Sequence, residues 1–313
     1  VSLAVGSAIL ALKLLAWLLT GSTALLADAA ESVVNVLAAA ILTYSLAVSA
    51  RPPDANHPYG HGKAEALSAM VEGALVMVAG LAIVAEAARR IYLGPELHNL
   101  GQGISVSVLA GLANLALGGY LLAQGRRHRS EALHADGVHV LTDTVTTAAG
   151  IGALLIVGWT GWALLDPLVG LAVAANVLWA GWRVVRRSLT GLLDEADFDL
   201  LVQIGEHIER HRIPEWCEIH QLRAWAAGST QHVDLHLVVP RYLSLEAAHG
   251  VADRLERIIL GAIHEDGDAV IHIDPCRPVH CPRCTVESCP VRSAPLDEPV
   301  SFDVRSLTRS GIV

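Results

Sequence analysis

The sequence predicts an α-helical membrane protein of six transmembrane helices, followed by a small α+β domain of order αββαβ. Three observations carry this. Of the 313 residues, 53% are hydrophobic and only 17% charged, against about 25% charged in a soluble domain, and the mean hydropathy is +0.46. The apolar residues lie mostly before residue 190 and the charge mostly after it, which divides the chain into a membrane part and a soluble part. From Asp194 onward the long apolar runs give way to short amphipathic ones.

Six apolar segments, at 1–20, 24–48, 64–92, 102–124, 132–157 and 163–186, are each long enough to cross a bilayer, which takes about 20 residues. Gly21-Ser22 separates the first two. The stretch SARPPDANHPYGHG at 49–62 separates the second from the third, because Pro52-Pro53 and Gly60 forbid a continuous helix. Gly94-Pro95 and the Gly101/Gly103 pair end the third. Arg126, Arg127 and Arg129 end the fourth, and WTGW at 159–162 ends the fifth. In the soluble part, 198–211 has helical periodicity, 217–225 and 232–239 alternate as strands around a Gly-Ser turn, 245–263 is a helix and 269–274 a strand. That order predicts two layers with an antiparallel sheet. The expected organisation is 1–190 membrane domain, 191–278 cytoplasmic domain and 279–313 a Cys-containing tail with little core-forming material. The chain opens at Val1 inside an apolar run, so a short N-terminal arm is expected to precede it, and the first segment does not read as a signal peptide.

Basic residues set the orientation. Arg51, Lys63, Arg126, Arg127, Arg129, Arg183, Arg186 and Arg187 fall at one face, and only Arg89 and Arg90 at the other. Both termini are therefore predicted cytoplasmic, with Trp159 and Trp162 anchoring the far interface. A net charge of −9 without a basic stripe argues against nucleic acid. No Walker A loop, GxGxxG, GxSxG or HExxH occurs, which argues against ATP drive and against an enzyme. The 15 histidines fit a metal-handling or pH-sensitive protein.

Two polar pairs interrupt the apolar segments: Glu31 with Asn35, and His139 with Asp143. Each is spaced i, i+4 and projects from one helix face. Ionisable groups inside a membrane mark an ion or proton path, and four O and N donors from two helices can close around a zinc-like ion. The bland reading is polar glue between helices. Asp28, on the same face, either lines the path as a fifth group or serves as a helix–helix hydrogen-bond partner. Lys13, inside the first segment, reads as snorkelling or paired.

Three further donor sets stand outside the membrane. In the loop, Asp54, His57 and His61 can converge on one ion, or merely belong to a solvated turn. In the soluble part, His236, His249, His272 and Asp274 can meet at one sheet edge, with His272 and Asp274 on one strand face. In the tail, Cys281, Cys284 and Cys289 with His280 have a CxxC spacing that can hold zinc, or are ordinary thiols of a flexible segment.

The motifs TGSTALLADAAESVVN, RPPDANHPYGHGKAE and HADGVHVLTD, then VDLHLVVP, AAHGVADRLE and VIHIDPC, occur in this order. Through them the sequence resembles the cation diffusion facilitator family of metal transporters over essentially its whole length. The resemblance implies six transmembrane helices, a ferredoxin-like cytoplasmic domain and a homodimer. It also implies efflux of a divalent metal from the cytosol in exchange for protons, across a bacterial inner (plasma) membrane. Zinc is the first expectation, as substrate and regulator; iron, cobalt, nickel, manganese and cadmium stay open. By position, the transport site is Glu31, Asn35, His139 and Asp143. His139 and Asp143 match the family's HxxxD, whereas Glu31 and Asn35 stand where the family commonly has Asp or His, then Asp. Asp54, His57 and His61 match a loop site of bacterial zinc and iron members, and His236, His249, His272 and Asp274 match a site at the dimer interface. Lys63 and Asp194 resemble charges that interlock at the membrane surface. The tail lies outside the family pattern. The alternative from another class is a membrane-bound metal sensor or scaffold that moves no ions.

Overall fold

The computed structural model describes residues 2–128, 131–228, 230–263 and 267–310; Arg129, counted above among the basic residues, lies outside them. The chain divides into two compact units, one of residues 1–47 and 67–189, the other of residues 48–66 and 190–313.

The first unit is a bundle of α1 (Ser2–Thr20), α2 (Thr23–Ser49), α3 (Lys63–Leu93), α4 (Leu100–His128), α5 (Glu131–Thr160) and α6 (Leu165–Leu192), of which α2 and α3 begin or end in the loop-bearing second unit. Five of these helices are long and apolar enough to cross a membrane, and the apolar part of α1 is a shorter piece, Val5–Thr20. Ile9 of α1 packs with Ala110, Leu117 and Leu121 of α4. On another side, Ala27 of α2, Ile83 of α3 and Ala174 of α6 form a second cluster. Small residues set how closely these helices approach. At Gly73 of α3 and Gly181 of α6, a methyl group on either would lie 3.0 Å from the other's carbonyl oxygen, so this crossing admits no larger residue. The N-terminus of α2 is capped from α6: Asp166, 1% exposed, accepts the N–H of Thr23 at 2.7 Å and the Ser22 hydroxyl. A carboxylate there satisfies orphan N–H groups and complements the helix dipole.

The second unit has α7 (Phe198–Arg210), β1 (Glu218–Ala227), β2 (Thr230–Val239), α8 (Leu245–Leu260), β3 (Asp268–Pro275) and a short α9 (Val304–Thr308). The order αββαβ is the one the periodicity predicts. The sheet, ordered β1-β2-β3, is not antiparallel throughout: β1 pairs antiparallel with β2, but β3 runs parallel to β2. The reason is α8, which carries the chain back along the sheet before β3 begins, and a strand–helix–strand crossover returns parallel. Asp197 caps α7 and Ser244 caps α8. Leu201, Ile204 and Ile208 of α7 and Leu255 and Ile259 of α8 close the core over Val233, Leu235 and Leu237 of β2. Both helices therefore cover one sheet face; on the other, Val238 packs with Cys217, Cys276 and Cys284 and His232 packs beside Tyr59 and Trp225.

A bulge in β1, between His220 and Arg223, shifts its alternation. Ile219 before it and Leu222 and Ala224 after it all reach the core. Gly228, at φ +67, begins the turn to β2; Ser229 lies outside the described residues. The tail is less featureless than its composition implies. Val300, Phe302 and Leu307 enter the core, Phe302 meets Trp216 edge-on at 6.5 Å, and Arg212 sits over its ring at 4.5 Å.

Candidate functional site

The membrane unit holds a cavity of about 650 Å³ whose polar lining is Ser32, Asn35 and Thr43 from α2, Glu72 from α3, Asn114 from α4, and His139 and Asp143 from α5. Asn35 Nδ2 donates to Asp143 Oδ2 at 3.0 Å, so the helix pairs predicted to cooperate do touch. Asp143 Oδ1, Glu31 Oε2 and Asn114 Nδ2 are buried with no hydrogen-bond partner. A buried polar atom without a partner is costly, and one open to a cavity can be satisfied by an entering ion, proton or water. The quartet is not closed. Among the described residues, the sets of three or more His, Cys, Asp or Glu donors within 4.8 Å of one another lie elsewhere.

Asp28 resolves towards the helix-contact alternative. It is 3% exposed, and Lys13 Nζ donates to its Oδ1 at 2.7 Å while Thr147 Oγ1 lies 2.8 Å from its Oδ2. Lys13 is thus paired, not snorkelling, and the pair ties α1 and α2 to α5 one turn from Asp143. Asp28 is absent from the cavity lining, and so is Glu31, whereas Asn35, His139 and Asp143 line it.

Outside the membrane, Asp54, His57 and His61 form one of the two compact donor sets. The backbone N–H groups of Asn56 and His57 donate to Asp54 Oδ1 at 2.8 and 2.7 Å, and these bonds, the one from His57 foremost, hold the Asp54 carboxyl below its ordinary pKa. His61 Nε2 stands 3.5 Å from Asp54 Oδ2. The proline- and glycine-rich sequence makes this turn, and the turn makes the cluster. Lys63 pairs with Asp194 at 2.8 Å.

The other compact set is His220, His236 and Asp274. Strand register creates it: His220 pairs with His236 across β1 and β2, and His236 with His272 across β2 and β3. Three histidines thus form a row across the face opposite the helices, from buried His220 through half-buried His236 to exposed His272. His236 Nδ1 lies 2.9 Å from Asp274 Oδ2, and His272 Nε2 lies 3.5 Å from Asp274 Oδ1. Burial pushes the His220 ring below its usual pKa, against the opposing pull of Glu218, which keeps it neutral and able to ligate. His249 does not join. It sits on α8, over the opposite sheet face, is exposed, and its ring lies 3.5 Å from Asp253. Behind the row, Glu218 is 1% exposed and faces His220, His280 and Arg309 at 3.7, 3.7 and 3.4 Å.

The sequence that carries these arrangements matches a known family. Residues 1–193 match the cation efflux transmembrane domain, and residues 197–276 match the cation efflux protein cytoplasmic domain. The chain belongs to the cation efflux family. It is similar to proteins named cation-efflux pump FieF in Serratia proteamaculans and Salmonella typhi, 33% identical over 278 residues, 87% of this chain and 90% of each relative. It is also 33% identical over 275 residues to an uncharacterized transporter of Synechocystis, covering 87% of this chain and 88% of that one. The chain is accordingly an integral membrane protein of a transporter family.

Two residues of this family member's cavity, Asn114 and Glu72, escaped the sequence reading, although each is an isolated polar residue in an apolar segment and the same intramembrane argument applies to it. His220 escaped because a strand histidine declares its partners only through register. In the tail, beyond the matched residues, Cys281, Cys284 and Cys289 face a common cavity with Cys276. His280 lines the same cavity, with Nδ1 accepting the Arg277 N–H at 2.9 Å and Nε2 3.7 Å from Glu218.

Proposed function

We propose that this protein exports a divalent transition-metal ion from the cytosol, zinc first, in exchange for protons, by alternating access through the cavity between α2 and α5. Iron, cobalt, nickel, manganese and cadmium are the other candidate substrates, and the names of the relatives are consistent with efflux. The observation that carries the reading is the Asn35–Asp143 contact beside carboxylate oxygens of Glu31 and Asp143 that no protein group satisfies. Metal binding requires the carboxylates and His139 to release protons, and returning protons displace the metal, so export is pH-linked. Asn114 and Glu72 extend the polar path.

In this reading the His220–His236–Asp274 cluster and the loop cluster bind the same ions as regulators, and they bias the membrane helices through differential affinity for two states. The working unit is a homodimer, with His249 of each copy free to serve the other. Both termini are cytoplasmic in a bacterial inner membrane, supported by the distribution of basic residues and by Trp159 and Trp162, which are 88% and 53% exposed as interfacial anchors are.

One observation favours the sensor alternative: the compact donor sets lie outside the membrane, not in it. Purified protein in proteoliposomes decides between the two. Radiolabelled zinc should cross the bilayer with opposite proton movement reported by an internal pH dye. Zinc that binds stoichiometrically but does not cross would sink the transport reading and leave the sensor.

A further inference from the structure

All five cysteines, Cys217, Cys276, Cys281, Cys284 and Cys289, are free thiols, and they gather at one end of the second unit. Four of them, Cys276, Cys281, Cys284 and Cys289, line a cavity of about 10 Å³. Such a space holds about one water-sized sphere, room for a single ion and not for a polynuclear cluster; among the described residues no three of these sulfurs lie within 4.8 Å of one another, so the ion must draw them together. The sulfurs have the donors that thiolates use. The Arg241 N–H points at Cys276 Sγ at 3.4 Å, and the Ser293 N–H and hydroxyl reach Cys281 Sγ at 3.4 and 3.3 Å. Cys217, 1% exposed, lies 3.3 Å behind Cys284 Sγ and does not line the cavity. The Arg292 guanidinium donates to the carbonyls of Cys281 and Cys284, both at 2.9 Å, and of Val286 at 2.6 Å, which fixes the turn that presents these thiols.

Besides the Arg292 bonds, the apolar hold on the segment is small: Val286 packs against a cluster of Cys217, Val238, Cys276 and Cys284. Between Arg277 and Pro299 the fully buried side chains are His280, Cys281 and Cys284, while Val279 and Leu296 are 45% and 47% exposed. Without an apolar core or a disulfide, so small a segment needs another staple, and a structural metal is one. The donor chemistry selects it: four thiols, two of them in a CxxC pair, suit a thiophilic tetrahedral ion of the zinc class. The set also joins two parts of the chain, since Cys276 follows β3 directly and the other three belong to the tail.

We propose that Cys276, Cys281, Cys284 and Cys289 bind one zinc ion as a structural tetrathiolate site that fastens the tail to the end of β3. The ion draws the four sulfurs inward around the cavity, and Cys217 supports Cys284 from behind. Cys276 is the last residue matched by the family's cytoplasmic domain, and the other three ligands lie beyond it. The site stands apart from the transported ion and from the histidine cluster.

The test uses full-length protein in detergent, reduced, stripped of metal and titrated with cobalt(II). One equivalent should produce a sulfur-to-cobalt charge-transfer band with the intense visible bands of tetrahedral thiolate coordination, and zinc should bleach it. Cys276→Ser and Cys289→Ser should each weaken cobalt binding at this band at least tenfold, whereas His236→Ala should leave it unchanged. Cys289 is only partly buried, so its variant isolates ligand loss from core damage, and an unchanged far-ultraviolet circular dichroism spectrum verifies this. Absence of the band at saturating cobalt in the wild-type chain overturns the proposal. So does a band that persists undiminished in folded Cys289→Ser.

Discussion

Asp143 in the membrane unit and Asp274 in the cytoplasmic unit are both predicted metal-binding carboxylates, and their surroundings differ. Asp143 has one oxygen engaged by Asn35 and the other buried without a partner. Asp274 has His236 at one oxygen and His272 at the other. The first set of donors is incomplete within the protein and opens on a cavity of about 650 Å³. The second is gathered before any ion arrives. An incomplete site exchanges ions and protons readily, because no single occupant is matched by preformed geometry. A gathered one spends less ordering free energy on binding and holds its ion longer. The difference fits a site that must let go beside one that only reports.

The membrane unit contains its own internal contrast, between the unsatisfied quartet and the satisfied Lys13–Asp28–Thr147 contact. Breaking that contact should give the largest effect. Lys13→Met leaves Asp28 buried and unpaired, and loss of one partner of a buried ion pair costs roughly 3–5 kcal/mol. The variant should unfold at markedly lower denaturant or temperature in detergent, and adding Asp28→Leu should recover most of the loss. If Lys13→Met keeps full stability, the pair is not the scaffold described here.

A smaller effect sharpens the quartet itself. Asn35→Asp replaces the amide beside Asp143 with a charged carboxylate. It should raise apparent affinity for zinc on the order of tenfold and change the order of competing metals, because ligand charge and type set metal choice. Competition flux with cobalt, manganese and cadmium measures this, and an unaltered ranking would place metal choice elsewhere.

The smallest effect separates the histidines of the cytoplasmic unit. His220→Ala should weaken metal binding at the sheet face on the order of tenfold, as loss of a ligand or its support does. His249→Ala should change binding within a single chain by no more than about twofold, which dilute protein titrated by calorimetry can show. Equal losses would mean that His249 reaches the cluster across a copy interface even under those conditions.

These expectations also show what the sequence makes legible. The six apolar segments end within a few residues of the observed helices, because bilayer length and Gly, Pro and Arg punctuation are local signals. The i, i+4 pairs could be read because helix periodicity fixes which residues share a face. His220 could not, since its place beside His236 depends on the register of β1 and on a bulge, neither of which a local pattern encodes. His249 stands apart from the row within one chain for a similar reason: its helix packs on the core face, a layering that no local pattern encodes. The parallel pairing of β3 follows from the α8 crossover, which the order αββαβ already contained. In the tail, the clustering of Cys276 with Cys281, Cys284 and Cys289 was visible, but the contact of Cys284 with Cys217 was not, because it joins residues 67 apart.

The central claim is that the membrane quartet moves the ion and the sheet-face cluster regulates. Zinc flux into proteoliposomes, measured side by side for Asp143→Ala and Asp274→Ala at saturating metal, tests it most directly. Asp143→Ala should abolish flux and its proton counter-movement, while Asp274→Ala should keep transport and shift only the metal concentration at which it is activated. Normal flux in folded Asp143→Ala, or complete loss in folded Asp274→Ala, would contradict the account.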